Sequence, residues 1–380
     1  MQTKYITEWK DDLHRCIRCA YCFEGCPVFK ELGWEVDGAR GKLVIAYGLL
    51  TEDLEPSNYI AEKLFQCTLC KDCEERCSAN VSVPDIIIAA RADLYEAGYS
   101  YDAHKQLLDK IEESGNIFGK KLEAPAFRGE KAVLLGCRLL ERKEDAKRYI
   151  EILGILGVKP KTFDETCCGM PFGVLGDKKG FRDQQDKFRE TIPDLNEEII
   201  CVCTTCVFFI KKKYPDLKAK YIIDEIVERL PRYKNKIHKL NVKVTYHDPC
   251  NVARGLGMVD EPRWLLREIG AEIVEMPTYG KEAECCGGGG GLLVTDNELA
   301  DRLAEKRVRQ AMETGADYLV TLCPTCELNL KNAAKQFDGE LRVKNVLDLL
   351  WEAIHPHEGS EMRKYSDQYE FIDQGGRGYG

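Results

Sequence analysis

The pattern of hydrophobic positions predicts a helical first part of the chain. Apolar residues recur at helical spacing over Gly38–Leu50, Ser57–Phe65 and Pro84–Ala97. The second of these segments begins with a serine, a typical N-cap, and the third is followed by Gly98, a typical helix stop. No run of 18 apolar residues occurs, so no membrane-spanning helix is expected.

The rest of the chain predicts alternating strands and helices, and residues 131–350 contain this pattern twice. The first copy predicts a strand, two helices and a strand at Ala132–Leu135, Glu144–Leu156, Lys178–Glu190 and Ile199–Val202. The second copy, with one more strand, covers Val242–Tyr246, Pro262–Ile269, Glu272–Met276, Asn297–Glu313 and Tyr318–Thr321. Such alternation is typical of parallel α/β units, here of about 115 residues each. Thr295 and Glu298 predict a capping box at the start of the longest helix, and Gly315 its end.

Composition and charge narrow the class of protein. The 380 residues are 44% hydrophobic and 31% charged, which indicates packed domains rather than disorder. The net charge of −9 disfavours a nucleic-acid-binding protein, which needs a basic surface against phosphates. Because the first ten residues lack the apolar run of a secretory signal, we expect a cytoplasmic protein that meets a membrane only through a partner.

Cysteine is the outlier of the composition, with 19 residues, and eight of them form two runs of the spacing C-x2-C-x2-C-x3-C. This spacing is typical of bacterial ferredoxins, in which three close thiolates bind one cube and the fourth reaches the other. One predicted cubane 4Fe-4S cluster has the ligands Cys16, Cys19, Cys22 and Cys77. The other has the ligands Cys67, Cys70, Cys73 and Cys26. A pair of structural zinc sites is the alternative.

Each α/β copy supplies five further cysteines: a single one, an adjacent pair and a C-x2-C. The first set is Cys137, Cys167, Cys168, Cys203 and Cys206. The second set is Cys250, Cys285, Cys286, Cys323 and Cys326. Five thiolates exceed what a tetrahedral zinc or a cubane needs, so each set suits a larger iron–sulfur cluster, with zinc in one set as the alternative. The glycines at Gly169 and Gly287–Gly291 suit a close approach of backbone N–H groups to cluster sulfurs.

One cysteine is left over after these assignments. Cys201 lies two residues before Cys203 in an apolar segment, and we expect it to be a buried small hydrophobic residue rather than a ligand.

The repeated pattern of a single cysteine, a Cys-Cys-Gly and a C-x2-C resembles the CCG-domain proteins. Its fusion behind a helical ferredoxin resembles heterodisulfide reductase of the D type, in which the electron-transfer and catalytic chains are joined, over about residues 10–350. The resemblance implies a non-cubane 4Fe-4S cluster on each set of five cysteines, which makes these ten residues catalytic. It also implies a substrate, the disulfide of coenzyme M and coenzyme B, held between the two clusters.

Two neighbouring polar residues are candidates beside the second set. His247 and Asp248 precede Cys250 closely, and His247 is predicted to orient or protonate groups near that cysteine. The alternative is that Asp248 and Pro249 shape a turn while His247 bonds to the backbone. Relatives often carry His where this chain has Asn251, so the proton donor stays open.

Arg138 and Arg254 are candidates to bind the sulfonate, phosphate or carboxylate groups of such a substrate, with ordinary surface salt bridges as the alternative. No G-x-G-x-x-G occurs, so no flavin or NAD is expected in this chain. We therefore expect an electron-donating partner: a flavoprotein, a hydrogenase or formate dehydrogenase module, or a membrane cytochrome b.

A rival interpretation is a pure electron-carrier subunit of a flavin-dependent lactate, glycolate or glycerol-3-phosphate dehydrogenase complex. Similar CCG proteins in such complexes often lack cysteines of one set, whereas both sets are complete here. Completeness therefore favours the disulfide reductase.

The predicted fold class is α+β, a helical two-cluster ferredoxin domain followed by two tandem α/β CCG repeats. The ferredoxin domain is expected over residues 1–98, and a connector with one polar helix over 99–130. The first CCG domain is expected over 131–240 and the second over 241–354. The polar tail, 355–380, is expected to be flexible or to become ordered against a partner.

Overall fold

The computed structural model describes residues 3–337 and 341–356, in which a helical N-terminal part packs against two parallel four-stranded sheets. The helical part contains α1 (Lys10–Arg15), α2 (Pro27–Leu32), α3 (Ala39–Leu50), α4 (Asn58–Phe65), α5 (Asp72–Glu75), α6 (Val83–Glu96) and α7 (Asp102–Ser114). The three helices predicted before residue 99 are confirmed within one residue at each end, and α7 is the polar helix predicted in the connector. Ser57 is the N-cap of α4, accepting a hydrogen bond from the N–H of Ile60 at 3.3 Å.

The first repeat forms one sheet with its helices around it. Its elements are β1 (Lys131–Leu134), α8 (Cys137–Glu141), α9 (Lys143–Ile155), β2 (Pro160–Lys161), α10 (Met170–Leu175), α11 (Lys178–Thr191), β3 (Ile199–Cys201), α12 (Thr204–Lys213), β4 (Ala219–Tyr221) and α13 (Ile222–Arg229). The strand order is β2-β1-β3-β4, and all pairs are parallel.

The second repeat has the same plan. Its elements are β5 (Val242–Tyr246), a π-helix (Asn251–Leu256), α14 (Asp260–Glu268), β6 (Ala271–Ile273), α15 (Leu292–Thr295), α16 (Asn297–Met312), β7 (Tyr318–Thr321), α17 (Pro324–Ala334), β8 (Arg342–Asn345) and α18 (Val346–Ile354). The order β6-β5-β7-β8 is again all parallel, so the internal duplication extends to topology. The edge strands β2, β4 and β8 were not predicted.

The predicted capping box at Thr295 is wrong. Asp296 is the N-cap of α16, and its side chain accepts a hydrogen bond from the N–H of Leu299 at 3.0 Å. Thr295 still belongs to α15, where its hydroxyl donates to the carbonyl of Gly291 and contacts His104 Nε2 at 2.8 Å. The chain turns one residue later than the sequence pattern predicts.

One apolar core joins the two repeats. It combines residues of both sheets, from Val133 and Ile200 to Val244 and Val320, with the helix α18. Across this core a buried carboxylate, that of Glu327, receives two hydrogen bonds from Arg142 at 2.8 and 3.0 Å. The two repeats therefore share one hydrophobic core and pack against each other as one body.

Arg91 holds the helical part against both repeats. Its side chain is fully buried in α6, and within the described part of the chain its guanidinium donates only to backbone carbonyls, at 2.6–3.1 Å. The acceptors are the carbonyl oxygens of Leu64, Phe65, Cys67, Val174 and Gly290. Three parts of the chain that are distant in sequence thus meet at one side chain.

No helix in the described part of the chain is long and apolar enough to cross a membrane. The predicted polar tail lies outside the described residues from position 357 onward.

Candidate iron–sulfur centres

Three cysteines of the second ferredoxin run and one of the first run surround a single cavity. The cavity is lined by Cys26, Cys67, Cys70 and Cys73, with Lys42 also on its wall. Burial raises the pKa of the Cys26 thiol to about 11, and the ammonium of Lys42 opposes that shift. These four cysteines are the set that the ferredoxin spacing predicts, including the ligand contributed from the other run.

The other predicted set lies nearer the surface. Cys16 and Cys22 are partly buried against the helical core, and Cys19 is exposed to solvent. Burial raises the pKa of the Cys22 thiol to about 11, and the neighbouring thiols add to this effect. Cys77 is also partly buried, and its Sγ accepts a hydrogen bond from the N–H of Val81 at 3.3 Å.

The two C-x2-C-x2-C loops share an unusual backbone. Each has two non-glycine residues with left-handed φ at matching positions: Arg18 and Ala20 in the first loop, Leu69 and Lys71 in the second. Such residues cost about 1–3 kcal/mol each and persist where the surroundings require them. A loop wound around a group bound by its cysteines is such a case, so the backbone fits the predicted cubanes.

The CCG cysteines lie at the carboxyl ends of the central strands. Cys137 and Cys203 follow β1 and β3, while Cys250 and Cys323 follow β5 and β7. Cys203 and Cys323 are the N-cap residues of α12 and α17. Contact with Cys326 lowers the pKa of the Cys323 thiol, which favours the thiolate form that metals require.

In the first repeat the five cysteines form one connected group of thiols. Cys167 contacts Cys137 and Cys168, and Cys206 contacts Cys168 and Cys203. The Sγ atoms of Cys168 and Cys206 are 3.6 Å apart. Contacts with Cys167 and Cys206 hold the pKa of Cys168 well below its ordinary value.

The second repeat repeats this arrangement. Cys285 contacts Cys250 and Cys286, and Cys326 contacts Cys286 and Cys323. Contacts with Cys285 and Cys326 hold the pKa of Cys286 well below its ordinary value. Each set thus gathers five sulfur donors, which fits an iron–sulfur cluster better than a four-coordinate zinc.

Two family comparisons match these centres. The 4Fe-4S dicluster domain matches residues 12–81, and the cysteine-rich domain, CCG, matches residues 132–211 and 244–331. A subunit of fumarate reductase (CoM/CoB) from Methanothermobacter marburgensis is 32% identical over 359 residues, covering 89% of this chain and 72% of the relative. The chain belongs to the CCG-domain iron–sulfur protein family. It is related to electron-transfer subunits of oxidoreductases.

Other relatives of this CCG-domain protein belong to different complexes. A subunit of dihydromethanophenazine:CoB–CoM heterodisulfide reductase from Methanosarcina barkeri, of the D type, is 26% identical, covering 90% of this chain and 94% of the relative. The EtfAB:quinone oxidoreductase of Syntrophomonas wolfei is 24% identical, covering 91% and 59%. A solved structure of a hypothetical protein from Helicobacter pylori shares the fold, with a TM-score of 0.57 at 10% identity over 84% of this chain and 68% of that one.

The ferredoxin domain of the CCG-domain protein contacts its second cysteine-rich repeat through sulfur. The thiols of Cys70 and Cys285 are in side-chain contact. Beside them the backbone of Gly290 packs on the carbonyl of Cys67, so closely that no side chain would fit. The two centres predicted at these cysteines are therefore neighbours.

Arg254 does not have the predicted role. Its guanidinium is buried and donates to the carbonyl oxygens of Cys70, Lys281 and Ala283 at 2.7–2.9 Å. Its Nη1 also lies 3.4 Å from Asp72. Arg254 thus joins the ferredoxin loop to the second repeat and is neither a substrate ligand nor part of a surface salt bridge.

Arg138 is placed differently. Burial lowers the pKa of its guanidinium, and the thiols of Cys323, Cys203 and Cys137 oppose this shift. Arg138 therefore lies near cysteines of both sets. Among the described residues no side chain forms an ion pair or hydrogen bond with it.

His247, predicted to act near Cys250, lies beside two other cysteines of the second set. A ring nitrogen and the Sγ atoms of Cys286 and Cys326 all lie within 4.8 Å of one another. Asp248 is bound by Arg263 through two hydrogen bonds, at 2.7 and 2.8 Å, and accepts another from the N–H of Gly280. The aspartate therefore fixes a loop, which agrees with the structural alternative for that residue.

Several residues that support the centres were not predicted from the sequence. Gln184 and Tyr214 donate to the carbonyls of Cys167 and Cys168, and Asn329 donates to that of Cys286, at 2.6–2.8 Å. They fix the turns of the adjacent cysteines. No local motif marks them, because each is distant in sequence from the pair that it binds.

Glu165 is a further unexpected residue. Its carboxylate accepts hydrogen bonds from the N–H groups of Leu135 and Gly136, at 2.8 and 2.6 Å. Burial raises its pKa to about 7, although these two hydrogen bonds oppose the shift. Its position two residues before Cys167 was the one available signal.

Proposed function

We propose that this protein is the disulfide-reducing iron–sulfur subunit of a heterodisulfide reductase type of complex, with the disulfide of coenzyme M and coenzyme B as substrate. The observation that carries the proposal is that each of the two five-cysteine sets gathers into one connected group. The similarity to a D-type subunit of heterodisulfide reductase over most of both chains supports it.

The proposal assigns every centre to cysteines of this chain. The eight ferredoxin cysteines hold two cubane clusters, and the two sets of five hold two non-cubane 4Fe-4S clusters. When bound, these clusters supply single electrons to the two-electron cleavage of an S–S bond. We retain the division into a ferredoxin domain (1–98), a connector (99–130) and CCG domains (131–240 and 241–354), within which the family matches fall.

The residues also support a direction of electron supply. Cys19 is the exposed ligand of the outer ferredoxin set, which makes that set accessible to an electron-donating partner protein. At the other end of the ferredoxin domain, Cys70 contacts Cys285. Electrons from the partner would therefore reach the second CCG set before the first.

The substrate site of this proposal lies between the two CCG sets. The loops that carry Cys203 and Cys323 face each other, with Thr205 Oγ1 4.0 Å from the Cys323 Sγ and Thr204 Oγ1 donating to the carbonyl of Leu322 at 3.1 Å. Arg138 supplies a cation there. Such a cation would hold a substrate that carries anionic groups on both sides of its S–S bond.

The deciding experiment is anaerobic reduction of the coenzyme M–coenzyme B disulfide with reduced viologen as electron donor. The iron-loaded protein should release two thiols per disulfide. A protein with about sixteen irons per chain, the content of four 4Fe-4S clusters, that does not turn over would contradict the proposal. About twelve irons together with zinc would instead indicate a zinc site in one set.

A second candidate function is electron transfer without disulfide chemistry. The similarity to EtfAB:quinone oxidoreductase, which covers 91% of this chain, favours it. A carrier would accept electrons from reduced viologen in all its centres and pass them to a quinone analogue, while the disulfide would leave the reduced centres unchanged.

A further inference from the structure

His247 is held by an arginine in one tautomer. Arg307 donates from Nε to His247 Nδ1 at 3.2 Å, and both side chains are buried, with relative exposures of 0% and 1%. A guanidinium has donors and no acceptor, so Nδ1 must be the unprotonated nitrogen of the ring. The ring proton of the neutral imidazole is therefore on Nε2.

The protonated nitrogen has sulfur as its available acceptor. Among the described residues, His247 Nε2 is buried and has no hydrogen-bond partner. Because Nδ1 is engaged by Arg307, Nε2 is the nitrogen left to face the Sγ atoms of Cys286 and Cys326 within 4.8 Å. An unpaired buried donor costs about 1–3 kcal/mol, so this arrangement requires an explanation.

Arg307 is itself fixed by three hydrogen bonds to two residues. Its Nη1 donates to Gln310 Oε1 at 2.7 Å and to Thr278 Oγ1 at 3.2 Å, and its Nη2 donates to the Thr278 carbonyl at 2.9 Å. The arginine therefore cannot swing away from the histidine without losing these bonds. The ring of His247 is oriented before any group binds to the cysteines.

The first repeat lacks this device. In the second sheet Tyr246 pairs with Val320, and in the first sheet Val133 pairs with Ile200 at the equivalent position. The next residue along each strand is therefore His247 in the second repeat and Leu134 in the first. Leu134 is a buried residue of the apolar core. One cysteine set thus has a fixed N–H donor directed at its sulfurs, and the other has a hydrocarbon side chain in its place.

We propose that His247, oriented by Arg307, donates its Nε2–H to the sulfur ligands of the second CCG set and makes that centre easier to reduce than the first. Hydrogen bonds to sulfur stabilise the added negative charge of a reduced iron–sulfur centre and raise its reduction potential. The inference rests on the proposed cluster at this set and concerns its potential, not the identity of the substrate. His247 is then a positioning and tuning residue rather than a proton donor.

The test is a redox titration of the iron-loaded protein followed by electron paramagnetic resonance, with His247→Leu and His247→Gln compared with wild type. Leucine copies the first repeat, and glutamine keeps an N–H donor. In His247→Leu one signal should become harder to reduce by about tenfold in its one-electron equilibrium constant, or about 59 mV, while the ferredoxin signals keep their potentials. In His247→Gln most of the wild-type potential should be retained.

Unchanged potentials in a His247→Leu protein with full iron content would overturn the inference, and so would an equal shift of every signal. If His247→Leu does not load iron, Arg307→Gln decides, because it leaves the imidazole in place but releases its orientation. The same signal should then shift in the same direction, and an unshifted signal would contradict the inference. A protein that shows the shift but does not reduce the disulfide would overturn the proposed function and leave this inference standing.

Discussion

Two cysteines close together in the sequence show how surroundings separate a ligand from a core residue. Cys201 is fully buried in β3, and burial raises its pKa well above the ordinary value. Cys203 caps α12 and contacts Cys206. The prediction that Cys201 is buried is confirmed, because none of its side chain is exposed.

Cys201→Ala should leave the iron content unchanged and cost about 1 kcal/mol of unfolding free energy through a small cavity. Cys203→Ala is the matched variant, and it should lower the iron content of the purified protein. Iron analysis and urea unfolding measure the two effects. Loss of iron in Cys201→Ala would mean that this thiol is a ligand after all.

Cys286→Ala should abolish disulfide reduction while the ferredoxin signals remain, because Cys286 joins Cys285 to Cys326 at the centre of its set. Electron paramagnetic resonance of the reduced protein and the viologen assay measure these outcomes. Turnover retained in this variant would count against a reaction that needs both sets.

Arg138→Gln should raise the KM for the coenzyme M–coenzyme B disulfide about tenfold or more and change kcat less, because hydrogen bonds to a charged group contribute about 1.5–3 kcal/mol. Arg138→Lys should restore part of the affinity. If Arg138 serves only to balance the charge of the neighbouring thiolates, the reduction potentials will shift and KM will not.

At the scale of elements, the sequence was most informative where one face of a segment is apolar. The helices α3, α4 and α6 and the central strands β5 and β7 follow such patterns. The edge strands β4 and β8 escaped prediction because they are short and carry lysine, which blunts an exposed sheet edge. The local hydrophobic pattern does not show whether a strand lies at the edge of a sheet. It also does not show which of two adjacent residues, Thr295 or Asp296, is the N-cap.

Asp296→Ala should destabilise the protein by about 1 kcal/mol or more, because it removes the N-cap of α16 and the acceptor of Gln66 Nε2 at 3.0 Å. Glu298→Ala, which alters the residue predicted to complete the capping box, should have an effect near zero. Urea unfolding midpoints of the iron-loaded proteins compare the two. Equal losses of stability in the two variants would support the capping box predicted from the sequence.

At the scale of the whole molecule, the sequence predicted the four cysteines around one cavity and missed what joins the domains. Spacing predicts the cavity around Cys26 and Cys67, since motif geometry is local in each run. The contact between Cys70 and Cys285 and the hydrogen bonds of Arg91 depend on packing between distant segments. No sequence motif around Arg91 indicates which carbonyl groups it binds.

Arg91→Met should prevent stable packing of the ferredoxin domain on the CCG repeats. Methionine fills similar space but removes the donor of five carbonyl groups, two in buried and three in partly buried contacts, at about 1–3 kcal/mol for each that finds no other partner. Limited proteolysis should cut this variant faster than Arg232→Met, a control at an exposed position. Equal resistance of both variants would show that the junction does not depend on Arg91.

Gly289 and Gly290 pack directly against the ferredoxin loop, where there is no room for a side chain. A methyl group on Gly289 would meet the carbonyl of Thr68 at 2.8 Å, and one on Gly290 would collide with Cys67. Any side chain there would push the two loops apart and lengthen the distance between Cys70 and Cys285, which the proposed function makes the step from the ferredoxin domain to the second repeat. The two bare glycines therefore set how closely the ferredoxin loop and the second repeat can approach.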